Sequence, residues 1–399
     1  NYPDNYYVST TGDDANDGVS LATAWRNIAH AITNTSNGSA EEGVITINVG
    51  PGTFAGECTD TTGTNWLLDL SNRRYVHLRG AGAEQTILTR GGKNWIISFG
   101  RDTQPDYPVI KLFNCTDVRV SGFTVIANDP PAYTDGAGAG STAPDMLAVV
   151  GINGGQGVRV DHMYLNGLYT GMVYNAALSN WVASWESWWY FGICVNGVIG
   201  PRGAQIDHVL TRGFRHGVMN NSYPYRDNPS NIYLVTIDHC TFVEGVCVSE
   251  NVAAVTVKVG DDNNAWFSPG FLVRSCIISE YPWSEFPGAE GNCWGLASSK
   301  DATAGGELGL YAKSNQFWSC GLPVPGEAWW SPLVIYDDDI DNAPFDNFTN
   351  EPPQFVSSPL PYSTDISTPY GDRDVGWSVV PEPAVLLGAI LALAALRRR

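Results

Sequence analysis

Basic residues are scarce in this chain. Its 399 residues carry 22 Lys plus Arg against 41 Asp plus Glu, a formal charge of −19, and no basic stripe interrupts the deficit. A surface of that sign repels phosphate backbones, which excludes nucleic acid as a partner. It also opposes direct contact with an acidic polysaccharide unless Ca²⁺ bridges carboxylate to carboxylate; neutral glycans meet no such barrier. Charged residues of either sign make up only 16% of the chain while 43% is hydrophobic, so wholesale disorder is excluded too. The eight cysteines, at 58, 115, 194, 240, 247, 276, 293 and 320, form no CxxC pair. A chain of this size needs no disulfides for its core, so buried free thiols are the expected state, although Cys240 and Cys247 are near enough in sequence to bridge. No Met and no apolar leader stand at Asn1, so any export signal is expected to be already removed or not included.

What is plentiful points to strands. Forty-three Gly and 24 Pro punctuate a chain with 14 Trp, 18 Tyr and 14 Phe, a balance that suits turns between β-prone segments better than long helices. One helix is expected near the start, where Trp25, Ile28, Ala29 and Ile32 recur at i, i+3, i+4 and i+7 behind Thr23 as N-cap. After it, residues 44–49 alternate as a strand that Gly50-Pro51-Gly52 stops.

An internal repeat follows. Val118-Arg119-Val120-Ser121-Gly122-Phe123-Thr124-Val125 aligns with Val158-Arg159-Val160-Asp161-His162-Met163-Tyr164-Leu165. The pattern recurs at Gln205–Leu210 and Thr236–Phe242, then more faintly at Val273–Ile278 and Ala312–Phe317. Each unit reads as a short strand, a polar corner and another short strand. Such units bury their apolar face only by stacking, which predicts Phe123, Met163, Val209, Cys240 and Cys276 as one internal column. The spacings of 40, 46, 31, 36 and 39 residues are irregular, as expected if some units are two rungs apart and others carry loop insertions. A β-sandwich and a propeller are the alternatives, and no blade-length repeat supports the latter.

The helix, the strand stopped by Gly-Pro-Gly and the stacked repeats resemble secreted proteins of the pectin-lyase-like superfamily. The resemblance implies an all-β fold, a right-handed parallel β-helix (solenoid) with a short N-terminal capping helix over its open end. The β-helix body is expected at residues 1–377, with the cap in 1–35 and a Pro-rich closing segment at about 345–377.

The C-terminus carries its own motif. Pro381, Glu382 and Pro383 precede a 13-residue run without a polar side chain, Ala384 to Leu396, and Arg397, Arg398 and Arg399 end the chain. Thirteen residues make about 20 Å of helix, short of a comfortable membrane span, and the arginines would hold that end in the cytoplasm. Residues 378–399 resemble the PEP-CTERM sorting signal of Gram-negative bacteria. That resemblance implies processing by an exosortase-type enzyme, a transient membrane association, and delivery to the outer surface or extracellular matrix.

Chemistry has several candidate places. Asp161-His162, Asp207-His208 and Asp238-His239 recur at the repeat corner, and strand alternation is expected to send each Asp and its His to opposite faces. Stacked, His162, His208 and His239 would line one corner as proton donors, as metal ligands, or as a polar ladder that satisfies backbone groups. Following the second pair, Arg212-Gly213-Phe214-Arg215-His216-Gly217, with Asn220 and Asn221 beyond, is the densest cluster of catalytic-type side chains, and His208, Arg212 and His216 are the candidate catalytic residues. Lyases of the resembled fold use Arg or Lys to remove the proton α to a uronate carboxylate, with Ca²⁺ held by Asp, and other members hydrolyse glycosides with grouped Asp. A polysaccharide lyase or glycosidase is therefore the enzyme reading. Aligning the repeats also places Glu244 beside Arg212 as a structural partner. Trp181, Trp185, Trp188 and Trp189 fall at i, i+4, i+7 and i+8, so a helical insertion would gather them either as a sugar-stacking platform or as core. Asp13, Asp14 and Asp17 lie in a Gly12–Gly18 loop that offers oxygen ligands to Ca²⁺, although Asx-turns explain the same residues. The first reading is a carbohydrate-associated surface or matrix protein without catalysis.

Overall fold

The computed structural model describes residues 4–55, 68–89, 108–127, 148–167, 172–175, 180–183, 191–196, 198, 202–214, 216–220, 235–245, 252–258, 271–282, 293–299, 310–323, 330–331 and 333–335. Three strand segments recur along the chain, and each lies against its counterpart one turn later. Val118 and Val120 point inward from the strand Thr116–Ser121, fully buried, while Arg119 between them faces outward. In the next turn, within the strand Val158–Asn166, Arg159 lies opposite Arg119, Val160 opposite Val120 and Asp161 opposite Ser121. One turn further, in Ala204–Arg212, Ile206 lies opposite Val160 and Val209 opposite Met163. The same register carries on through Val235–Asp238 with Thr241–Val243, Phe271–Arg274 with Ile277–Pro282, and Leu310–Lys313 with Gln316–Pro323.

Among the described residues these segments form a 16-stranded sheet, and eight more strands form a second sheet, from Leu68–Asp69 to Leu333–Ile335. Apart from the short antiparallel contact of Gln316–Pro323 with Trp330–Ser331, both sheets pair in parallel. This is the all-β, right-handed parallel β-helix, and neither a sandwich nor a propeller.

Each aligned repeat is one coil. Direct pairing of Met163 with Val209 and of Leu210 with Thr241 rules out units two rungs apart, so the differences in spacing all lie within single coils. Phe123, Met163, Val209, Cys240 and Cys276 are all fully buried, as a stacked internal column requires. Two earlier coils escape the sequence alignment. Ile45–Val49 pairs with Arg74–Gly80, which pairs with Thr116–Ser121, and Gly52–Ala55 pairs with Thr86–Thr89. There the two strands of a coil are parted by Gly50-Pro51 or by residues 81–85, where no side-chain-bearing residue takes a positive φ.

The N-terminal cap is built differently from its expected form. Thr23 ends a 3₁₀ turn, Leu21–Thr23, and the helix runs Ile28–Asn34 with Asn27 as its N-cap, whose side chain accepts from the amides of Ala29 and His30. Ala24 is extended (φ −60°, ψ 146°), which separates Trp25 from the helix. Trp25 instead bridges to Val8 and stacks on Tyr6, centroids 5.3 Å apart. Ile28, Ala31 and Ile32 form the buried helical face. Arg73 ties this cap to the coil: Nη1 donates to the Thr35 carbonyl at 2.9 Å, and Nη2 to Thr35 Oγ1 and the Ser36 carbonyl, both at 2.8 Å. These carbonyls follow the last helical turn, where a cation is best placed. The closing segment at 345–377 and the tail at 378–399 lie outside the described residues. Among the described residues no helix is long and apolar enough to cross a membrane.

Candidate functional site

In the six aligned coils the corner between the first two strands holds one residue in the left-handed region. Gly122 has φ 78°, His162 51°, His208 52°, His239 50°, Ser275 52° and Ser314 55°. Only glycine adopts this conformation without steric penalty, so five side-chain-bearing residues stacked here mark a turn that the neighbouring coils enforce. This corner overturns the expected separation of each Asp from its His. Alternation holds only while the backbone stays extended; at a left-handed residue the side chain swings back toward its predecessor. His162 Nδ1 lies 2.7 Å from Asp161 Oδ2, His208 Nδ1 3.2 Å from Asp207 Oδ2, and His239 Nδ1 2.8 Å from Asp238 Oδ1.

The three rings stack as a ladder. The centroids of His162 and His208 are 4.8 Å apart with planes 7° from parallel, and those of His208 and His239 are 5.2 Å apart at 5°. The spacing is that of neighbouring strands. Each Nδ1 of the ladder faces an aspartate carboxylate.

Arginines hold those carboxylates from the preceding coil. Arg119 donates Nε to Asp161 Oδ1 at 2.7 Å and Nη2 to Oδ2, and Arg159 donates Nε and Nη2 to Asp207 at 2.8 and 2.7 Å. Arg274 approaches Asp238 from the following coil, Nη2 to Oδ2 at 2.7 Å. Burial works to raise the pKa of Asp161, but the bonds from Arg119 and His162 and the charges of Arg119 and Arg159 outweigh it and hold the group at about 2. Asp207 and Asp238 lie below the ordinary carboxylate value by the same opposition of burial to hydrogen bonds from His and Arg. Sequence reading missed this part of the site. The signal was present, because Arg119 and Arg159 occupy one repeat position, two residues before the corner Asp position and therefore on its face.

The proposed catalytic trio is distributed. His208 sits in the ladder at the corner of Ala204–Arg212, and Arg212 ends that strand. His216 opens His216–Asn220 in the second sheet, buried, opposite Phe191 with ring centroids 5.4 Å apart. Arg212 lies opposite Asn166 and Val243 in the adjoining coils and grips Glu244 at both carboxylate oxygens, Nε to Oε2 at 2.5 Å and Nη2 to Oε1 at 3.0 Å. Burial disfavours the Arg212 charge, yet its bonds to Glu244 and to the Tyr164 hydroxyl raise its pKa above the ordinary value. Tyr164, buried under this pair, is raised by burial and lowered in part by Arg212. The structural pairing expected for Arg212 and Glu244 is therefore present.

The aromatic segment is only partly described. Trp181 lies in a strand, Asn180–Ala183, paired antiparallel with Met172–Asn175, so this stretch is extended and not helical. Trp185, Trp188 and Trp189 lie outside the described residues. In the N-terminal loop, Asp13 Oδ1 accepts from the Ala15 amide, Asp17 Oδ1 from that of Val19, and Asp14 Oδ1 from those of Arg26 and Asn27. Asp13 and Asp17 thus make the short contacts of Asx-turns, and Asp14 ties the loop to the start of the helix. Cys115, Cys194, Cys240 and Cys276 are buried free thiols, so Cys240 is not bridged to Cys247. Among the described residues, the grouping whose ligand atoms converge is His162, Asp207 and His208, one atom from each lying within 4.8 Å of the others.

No protein-family profile matches the chain, and no curated protein is similar to it in sequence. Solved structures with some likeness include a GH136 lacto-N-biosidase from Eubacterium ramulus, at TM-score 0.41 and 12% identity, covering 79% of this chain and 56% of that one. The chain therefore spans little more than half the length of that enzyme. A carrot pectin methylesterase follows at TM-score 0.33 and 10% identity, covering 82% of this chain and 87% of that one. A rhamnogalacturonan lyase stands at TM-score 0.30 and 10% identity, covering 79% and 67%. Likeness of this degree transfers neither an activity nor a site.

Proposed function

We propose that the chain is an exported, non-catalytic β-helix protein, a stiff rod displayed at the outer surface or in the extracellular matrix of a Gram-negative bacterium. One observation carries the reading: Arg212, the best candidate for a proton-abstracting base, is held at both ends of its fork by Glu244. A base needs a free lone pair, so the arginine must first give up a proton, and a bidentate ion pair that raises its pKa opposes that loss. Sorting rests on Pro381-Glu382-Pro383, the apolar run and Arg397–Arg399. Association with glycan rests on the indole-rich stretch from Trp181 to Trp189, whose flat apolar rings suit the C–H face of a pyranose.

The test is a panel of neutral and uronate-containing polysaccharides offered to the full chain, with and without Ca²⁺, following unsaturated-uronate absorbance, reducing ends and binding by affinity electrophoresis. Binding without turnover supports the rod. Turnover of any member overturns it in favour of a lyase, if absorbance rises, or a hydrolase, if only reducing ends do. For the sorting tail, mass spectrometry of the secreted protein should find the chain ended near Pro383; an intact Arg399 would refute the claim.

A further inference from the structure

We propose that His162 and His208, on successive coils, form a binding site for a divalent transition-metal ion of the zinc type, with Asp161 and Asp207 as the groups that orient them. Each Nδ1 faces a carboxylate, at 2.7 Å for His162 and 3.2 Å for His208. A carboxylate only accepts, so Nδ1 carries the ring proton in each histidine, which leaves the Nε2 lone pair as the ligand atom. A carboxylate behind a ligating histidine is the usual outer-shell arrangement of metal sites, because it fixes the tautomer and raises the basicity of the far nitrogen.

The orientation is unusually well anchored. Asp161 and Asp207 are themselves held by two-point bonds from Arg119 and Arg159, so the carboxylates have little freedom to leave the histidines. The same bonds occupy the Asp207 oxygens, which makes Asp207 a positioning residue and leaves the two imidazoles and water as ligands. Both rings are reachable, with side chains 24% and 29% exposed.

Their spacing is set by the strands. The ring centroids stand 4.8 Å apart. A tetrahedral ion bound at about 2.0–2.1 Å needs its nitrogens roughly 3.3 Å apart, so the Nε2 edges must tilt together by about 1.5 Å. The broad χ2 torsion of histidine allows that tilt in a partly exposed side chain. Imidazole nitrogen selects Zn²⁺, Ni²⁺, Co²⁺ or Cu²⁺ over Ca²⁺ and Mg²⁺, which prefer oxygen.

The fold itself supplies the right substitution for a test. Ser275 and Ser314 occupy the same corner column with φ 52° and 55°, so serine is accepted there. The full chain is titrated calorimetrically with ZnCl2, and with CoCl2 while following its visible absorption. The wild type should show one saturable site and a cobalt band. His162→Ser and His208→Ser should each weaken binding at least ~10-fold, and His239→Ser by clearly less. No saturable site in the wild type, unchanged binding in the first two variants, or an equal loss in His239→Ser would overturn the assignment. Should a variant fail to fold, the wild type decides alone. Zn²⁺ should protect His162 and His208 from diethyl pyrocarbonate, read by peptide mass spectrometry, and equal modification with and without Zn²⁺ refutes the site.

Discussion

Arg159 reaches along the solenoid to Asp207 in the next coil, closing a two-point ion pair at 2.8 and 2.7 Å. Arg119 takes the same diagonal step to Asp161, and one coil earlier His77 Nε2 meets Ser121 Oγ at 2.8 Å. A side chain at one repeat position thus meets, in the coil beyond, the residue two places further on. The ladder sews coils together outside the apolar column, with its carboxylates buried.

Stability should therefore fall in acid through these carboxylates. A group whose folded pKa is lowered contributes stability that is present above its unfolded value and lost as pH falls through the folded one. For Asp161 that window runs from the ordinary 3.8 down to about 2, and Asp207 and Asp238 shift in the same direction. The thermal midpoint, followed by circular dichroism in chelator, should begin to drop below about pH 4. Asp161→Asn should flatten the dependence and cost about 2–3 kcal/mol at neutral pH, less than for a fully buried pair because Arg119 retains some access to water. A variant as acid-sensitive as the wild type would contradict this account.

The column and the corner were not equally legible in the sequence. Val118, Val120 and Phe123 align with Val158, Val160 and Met163 because burial forces like residues into like positions, and that made the stacked repeat legible. The contact between Asp161 and His162 was hidden by a rule valid only for extended backbone. Gly122 was the available clue, since a glycine aligned with histidines marks a corner in the left-handed region. The helix start was misplaced for a local reason: Thr23 and Asn27 both suit an N-cap, and only the extended Ala24 decides between them. The roles of Arg119 and Arg159 depend on a diagonal between coils, which a linear reading does not display.

A second prediction concerns the lower end of the column. After the His239 and Ser275 corners, a side chain of the next coil accepts from the following backbone amide. The Cys240 amide donates to Cys276 Sγ at 3.4 Å, and the Cys276 amide to Asn315 Oδ1 at 3.0 Å, while Asn315 Nδ2 returns a bond to the Val273 carbonyl at 2.9 Å. Asn315→Ala should cost about 1–3 kcal/mol in denaturant unfolding, because buried polar groups lose their partner. Cys276→Ala should cost less, sulfur being a weak acceptor. The opposite order would refute the role given to the amide.

Arg212→Ala separates structural from catalytic roles. It strips Glu244 and the Tyr164 hydroxyl of a shared cation, so the melting temperature should fall by an amount corresponding to about 1–2 kcal/mol. An enzymatic base would instead be removed with turnover lost and stability unchanged. Calorimetry on the variant, beside the polysaccharide panel, distinguishes the two.

Coil lengths from 31 to 46 residues, from Phe123 through Met163, Val209, Cys240 and Cys276 to Asn315, leave the corner column in register. Length is therefore a free variable of each turn and the corner a fixed one. Such a chain behaves as a rack of interchangeable cassettes: the segment leaving Ile126 or Asn166 can be replaced by one of another size without re-threading the rest. Selection for a new surface property can then act on one turn at a time, while the spine that carries it stays as it was.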